Sequence, residues 1–305
     1  MTRNALAIAL LMALPMAAAA AENSQPQQAL RPELWLSSDA DGNETQKYGL
    51  GWDLRRYNDD HWLGVKVERA RFAGDDWSQT EERLYVRAAG GGDLWRWKVD
   101  AGTNGDALLG SASLHSEDAR RKEFFIEREI LETRDGAERG LVQTFAGAAL
   151  DLPLNERWTA TGLVGLQDFG SGDNLRTHLR GNLIFAALPE QGISVQLRSR
   201  YFRNSDPAEG DYYSPAWYGE ALGVVALRRN YAGYQWRAVA GWGRQRSDSE
   251  GWKRARMFEI GVDTPHWKQA WLRANAGYKD TPVLNDTGTG SYAYRYLSLE
   301  AVIGF

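Results

Sequence analysis

The chain has 305 residues and no cysteine, with 36 Lys and Arg against 40 Asp and Glu, a formal charge of −4. Without thiols, disulfide frameworks, Cys-ligated metal sites and thiol catalysis are excluded, and the near balance of charge argues against nucleic acid as a partner. Trp and Tyr number 13 each and Gly 32, yet after the N-terminal segment no stretch approaches the ~18 consecutive apolar residues of a transmembrane helix. A β-barrel evades that test, because lipid-facing and lumen-facing residues alternate.

Residues 1–21 read as a signal peptide, with Arg3, an apolar run from Ala5 and the small residues Ala19-Ala20-Ala21 before Glu22. Residues 22–31 are polar and Gln-rich, a leader on the periplasmic side, and 32–305 carry the structured domain. Export without cysteine points to a Gram-negative envelope protein.

From Leu34 onward the hydrophobic period is two, the period of strands. Tyr48, Leu50, Trp52 and Leu54 share one face and Gly49, Gly51, Asp53 and Arg55 the other; Leu63, Val65 and Val67 oppose Lys66 and Glu68. The pattern recurs in Trp95 to Asp100, in Glu123 to Ile130, and in Ile193 to Tyr201, where Val195 and Leu197 oppose Gln196, Arg198 and Arg200. The last stretch ends Leu297, Leu299, Ala301, Ile303, Phe305 on one face and Tyr294, Tyr296, Ser298 and Glu300 on the other. The count is about 16 strands, even as bacterial single-chain barrels require.

Connections after even strands are short, such as Gly90 to Asp93 and Pro189 to Gly192, whereas several after odd strands are long, such as Arg203 to Ala216 and Asp280 to Ser291. That asymmetry predicts an all-β, closed antiparallel transmembrane barrel with short periplasmic turns and longer extracellular loops. Apolar faces turn out to lipid, and the faces bearing Arg, Lys, Glu and Gly line a wet interior. No Pro is expected inside a strand. Trp62, Trp158, Trp236 and Trp267 are expected in aromatic girdles, and the pairs Gly49/Gly51 and Gly241/Gly243 give room in the lumen.

The terminal strand resembles the C-terminal recognition signal of outer-membrane barrels, which implies insertion by the barrel assembly machinery through Leu297, Leu299, Ala301, Ile303 and Phe305. The segment Asp211-Tyr212-Tyr213-Ser214-Pro215-Ala216-Trp217-Tyr218 resembles the C-terminal barrels of exopolysaccharide secretion proteins: the exporters of poly-N-acetylglucosamine, cellulose and Pel, and the phage N4 adsorption protein. The resemblance implies a 16-stranded outer-membrane channel for a biofilm glycan, working with an inner-membrane synthase. This chain lacks the tetratricopeptide domain of those proteins, so a separate periplasmic tetratricopeptide partner is implied.

Aromatic rings stack on the C–H faces of sugars and polar side chains bond their hydroxyls. Tyr212, Tyr213 and Trp217 are therefore candidate stacking residues, with Ser214, Pro215 and Tyr218 in the same segment. His178, Arg180, Asn182, Arg198, Arg200 and Arg237 are candidate polar contacts on inward faces. Inward charge of both signs favours a neutral or zwitterionic glycan over a strongly cationic one. The alternatives are a surface-receptor or structural barrel for phage or matrix attachment, and a small-solute porin, the latter disfavoured because no connection is plainly long enough for an infolded constriction loop. No enzyme, cofactor or metal site is expected: His61, His115, His178 and His266 are dispersed and form no HExxH-like pair.

Overall fold

The structure, a computed structural model, describes residues 26–40, 42–170, 172–267, 269–280 and 293–305. The expected signal peptide and most of the connection following Asp280 lie outside the described residues. Sixteen strands run in sequence: β1 Gln27–Ser38, β2 Glu44–Asn58, β3 His61–Ala73, β4 Ser78–Gly91, β5 Trp95–Thr103, β6 Leu108–Ser116, β7 Lys122–Ile130 and β8 Val142–Pro153. They continue with β9 Trp158–Asp168, β10 Leu175–Leu188, β11 Ile193–Asn204, β12 Trp217–Tyr231, β13 Tyr234–Ser247, β14 Lys253–Asp263, β15 Ala270–Lys279 and β16 Tyr294–Gly304. Each pairs antiparallel with its neighbours, and β16 closes onto β1. Closure satisfies the backbone of every strand, which is what burial in hydrocarbon demands.

The faces fall as the alternation predicts. Leu50, Val67, Leu84, Val164, Leu197 and Ile260 are among the most exposed apolar side chains, whereas Asp53, Lys66, Arg83 and Arg87 are buried. Such an inversion is unfavourable in water and favourable in a bilayer, so the molecule is an outer-membrane barrel. On β16, Ile303 is exposed, as is Phe305 after it, while Val302 next to Ile303 is buried, which places Leu297, Leu299 and Ala301 outward too. Five of the seven connections after even-numbered strands are four residues or fewer, and those after β6 and β14 are longer. Ala232 and Gly233 after β12 both have positive φ, 51° and 81°, the conformation of a two-residue type I′ hairpin.

Four details differ from the sequence expectations. β1 begins at Gln27, so residues 27–31 of the expected leader are strand and Arg31 is buried in the interior. Pro32 therefore lies inside a strand. The β1–β16 ladder passes from Leu30↔Ile303 to Glu33↔Glu300 without pairing residues 31 and 32, so the missing donor falls at the closing seam. In β2 the register shifts between Asp53 and Arg55, a β-bulge, so Arg56 rather than Arg55 joins Asp53 on the buried side. Trp62 is not in a girdle: its ring is buried on the inward face, whereas Trp158, Trp236 and Trp267 are exposed.

A fifth difference concerns the mouth. The β7–β8 connection holds a short helix, α1 (Arg134–Arg139), capped by the Thr133 side chain at its start and by Gly140 in the left-handed conformation at its end. Its Ala137 packs in one apolar cluster with Phe72, Tyr85 and Leu109. Tyr85 and Leu109 both flank Gly102 in the strand registers, and Tyr85 lies opposite Lys66, so these side chains belong to the interior. This connection folds inward, contrary to the expectation that none is long enough.

Candidate functional site

The interior has two unlike walls. Along β1 to β5 most of the inward cations are held in ion pairs. Arg31 reaches Asp53 at 2.9 Å and Glu300 at 2.8 Å; Lys66 reaches Glu68 at 2.8 Å and Glu33 at 3.4 Å. Arg87 lies 2.6 Å from Glu33 and 3.1 Å from Asp100. Arg83, whose side chain is 0% exposed, meets Glu129 at 2.9 Å, Glu81 at 3.1 Å and Glu68 at 3.3 Å. Arg31 and Arg87 also lie over the Trp62 ring, at 4.5 and 5.4 Å. Gly51 leaves room here, since a Cβ would sit 3.2 Å from Arg31 Cβ and 3.4 Å from a guanidinium nitrogen of Arg87.

On β10 and β11 the same kinds of residue are arranged differently. Arg180 stands directly opposite Arg200, and Asn182 opposite Arg198. Arg200 is bonded to the Tyr218 hydroxyl at 3.1 Å and lies 3.5 Å from Glu220. Arg198 donates to Gln196 at 3.0 Å, and Arg176 to Asn204 at 2.9 Å and to the Tyr213 carbonyl. Arg176 is sandwiched between Phe169 and Phe202, at 4.6 and 4.4 Å, and Lys279 lies over Tyr294 at 4.9 Å. Among the described residues, Arg176, Arg180, Arg198 and Lys279 form no ion pair. A cavity of about 400 Å³ opens between these strands, lined by Arg180, Asn182, Arg198, Arg200, Glu220 and Lys279 among others.

The Tyr-rich segment lies above this wall. Tyr212 is buried, stacked on Phe169 with centroids 4.0 Å apart, and its hydroxyl accepts from Asn174 at 2.9 Å and donates to Glu209 at 3.1 Å. Ser214 donates to the Glu209 carbonyl at 3.0 Å, and the Pro215 carbonyl accepts from Asn204. Tyr212, Ser214 and the Pro215 carbonyl are thus engaged in folding the loop. Tyr213 sets its edge against Phe202 and Tyr218, and burial pushes its phenol up to about 12. Tyr218 points inward, fully buried, with its hydroxyl 2.7 Å from Gln245 and 2.9 Å from Glu220. Trp217 has the opposite parity to Tyr218 and stands opposite Arg203 with Arg246 over its ring at 5.8 Å; it faces away from the lumen.

Of the polar candidates, Arg180, Asn182, Arg198 and Arg200 come together on the cavity. His178 lies one rung above, buried, bonded through Nε2 to Gln167 at 2.9 Å. Arg237 stands apart, fixed by Asp263 at 2.7 Å and Asn275 at 3.0 Å. Arg176 and Lys279 were not singled out from the sequence. Arg176 continues the parity of His178 and Arg180, and Lys279 that of Asn275, so the strand period contained both. His115 bonds Glu117 at 2.9 Å, His61 the Gly91 carbonyl at 3.0 Å, and His266 approaches Asp59 at 3.3 Å. Among the described residues no three His, Cys, Asp or Glu are grouped to hold a metal.

The two loops meet over the mouth. Asp211 accepts from the Thr133 hydroxyl at 2.6 Å and from the Asp135 amide at 2.7 Å, while Glu132, beside α1, pairs with Lys47 on β2 at 2.8 Å. The connection that carries α1 is therefore tied both to β2 and to the β11–β12 loop.

No family model matches the chain, and no curated protein matches it. Among solved structures it is similar to one described as a bacterial polysaccharide outer membrane secretin, with 14% identity, a TM-score of 0.66, 93% of this chain and 100% of that one covered. It is also matched by OccAB3 of Acinetobacter baumannii and by OmpT of Vibrio cholerae in its trimer form. Each is 11% identical, with a TM-score of 0.42, covering 92% of this chain and 99% of the other. The first likeness bears out, as fold, the resemblance to a polysaccharide-secretion barrel.

Proposed function

We propose that this barrel is a channel through which an extracellular polysaccharide leaves the cell. The observation that carries the reading is the open wall: inside a closed barrel, Arg180, Asn182, Arg198 and Lys279 face a cavity of about 400 Å³, and among the described residues the three cations are in no ion pair. Across the lumen Trp35 stacks on Tyr296, centroids 5.3 Å apart, beside a second cavity that Trp35 helps to line. Aromatic faces and unspent hydrogen-bonding groups are what a sliding sugar chain requires, since conduction needs many contacts that are each weak enough to leave. Similarity in fold to a structure described as a polysaccharide secretin supports the same reading.

In this proposal lipid surrounds the outward face, the assembly machinery reads the terminal strand, and a periplasmic tetratricopeptide protein and an inner-membrane synthase deliver the polymer. Deleting the gene is expected to abolish surface polymer while synthesis continues. Undiminished secretion would sink the reading.

The infolded α1 connection favours a second reading, a surface-receptor or structural barrel with a closed mouth, because Asp211 and Lys47 hold it on two sides. Single-channel recording separates the two: a conducting pore blocked by glycan fragments supports export, and a pore that never opens supports the receptor.

A further inference from the structure

We infer that the open wall is an anion-binding track, and that the polymer it carries bears negative groups, carboxylate or phosphate, along its length. The inference rests on the export reading and specifies its substrate. It departs from the expectation of a neutral or zwitterionic glycan.

Three features of the wall carry it. Like charges directly opposite each other on neighbouring strands are unfavourable, and Arg180 faces Arg200 in just this way. Arg198 stands two residues along the strand from Arg200, so the rungs repeat at about 7 Å. Next, the cavity lining contains four cations, Arg180, Arg198, Arg200 and Lys279, against the two carboxylates of Glu220 and Glu259, once Arg256 is matched to its partner Asp280 at 3.1 Å. Glu220 is already engaged by Arg200 and Tyr218, and Glu259 accepts from Tyr296 at 3.3 Å.

Unspent hydrogen-bonding capacity is the third feature. The Arg200 Nε and the Asn182 Oδ1 are buried and have no hydrogen-bond partner. A chain of sugars bearing anionic groups answers both: the guanidinium forks take carboxylate or phosphate oxygens, and Asn182 takes a hydroxyl. The opposite wall shows that the fold can neutralise such cations with Asp and Glu on adjacent strands. On this wall only Arg200 has such a partner, Glu220 at 3.5 Å.

The test uses the full-length protein in planar lipid bilayers. Ion-current block is titrated with oligogalacturonate, a phosphorylated mannooligosaccharide, neutral maltooligosaccharides and chitosan oligomers of equal length. At least one of the two anionic probes is expected to block at a concentration about tenfold or more below the neutral one, one charge-assisted contact being on the order of that factor. Which of the two does so distinguishes carboxylate from phosphate.

The triple variant Arg180→Gln, Arg198→Gln, Lys279→Gln is expected to abolish the preference, bringing block by the anionic probes to the level of the neutral one. Its folding is checked independently by heat-modifiable migration on gels. A reversal potential in a salt gradient gives a second measure on the unmutated protein, expected to show anion selectivity. Equal block by neutral and anionic probes, or stronger block by chitosan, overturns the inference and leaves export standing. Absence of block by every glycan overturns both.

Discussion

On β3 and β4, Lys66 and Arg83 each meet carboxylates on more than one strand, whereas on β10 and β11 Arg180 faces Arg200 and Arg198 faces Asn182. The two walls use the same side chains, but on the first the charge is spent inside the protein and on the second it is left available. Taking an arginine out of water is expensive and is repaid only by good partners. The paired wall is dry enough to need them; Arg180 is exposed to the interior space. Paired and available charge are thus divided between two walls of one lumen.

That division predicts unequal responses to substitution. Arg83→Met takes a cation from three carboxylates, leaving Glu81 without its ion-pair partner while Glu68 keeps Lys66 and Glu129 keeps Lys47, and is expected to destabilise the barrel by about 3–5 kcal/mol, read from denaturant unfolding in lipid vesicles followed by Trp fluorescence. A loss under 1 kcal/mol would mean that the paired wall is as wet as the open one. Asp211→Ala removes two hydrogen bonds to the α1 connection, worth about 1.5–3 kcal/mol together. Its effect should be local, seen as faster amide exchange across residues 131–141 with the strands unaltered. If exchange there stays slow, the mouth is held from the β2 side alone.

Tyr218→Phe leaves Gln245 and Arg200 short of a partner and is expected to cost about 1–2 kcal/mol in the same unfolding assay. Arg180→Gln should move the other way, gaining about 0.2–1 kcal/mol as the opposed charges are relieved. Destabilisation by Arg180→Gln would reassign that residue to the structural wall.

Much of this architecture could be read from the alternation. The outward sets on β2, β11 and β16 follow it residue by residue, and the parity that placed Arg180, Asn182, Arg198 and Arg200 inward is the parity observed. The bulge in β2 was not legible, because one extra residue leaves no mark in composition and exchanges the roles of Arg55 and Arg56. Trp217 was misassigned for a related reason: at a loop-to-strand junction, the parity is set by where pairing begins, and it begins so that Tyr218 points in. α1 did leave a signal, the Thr133 cap and Gly140 spaced around six helical residues, but nothing local says that such a turn folds into the mouth. The ion pairs of the other wall join residues up to 269 positions apart, as with Arg31 and Glu300, and only closure brings them together.

The closing seam has a consequence for how the barrel is made. Where the β1–β16 ladder skips Arg31 and Pro32, side chains take over: Arg31 spans from Asp53 on β2 to Glu300 on β16. If the two ends met one residue out of step, Glu300 would turn toward the lipid and Arg31 would lose that partner. Met two residues out of step, the faces would be right but the charges would sit about 7 Å apart along the strand. The arginine beside the proline thus proofreads the final joining, rewarding one alignment of first and last strand at the place where the backbone itself discriminates least.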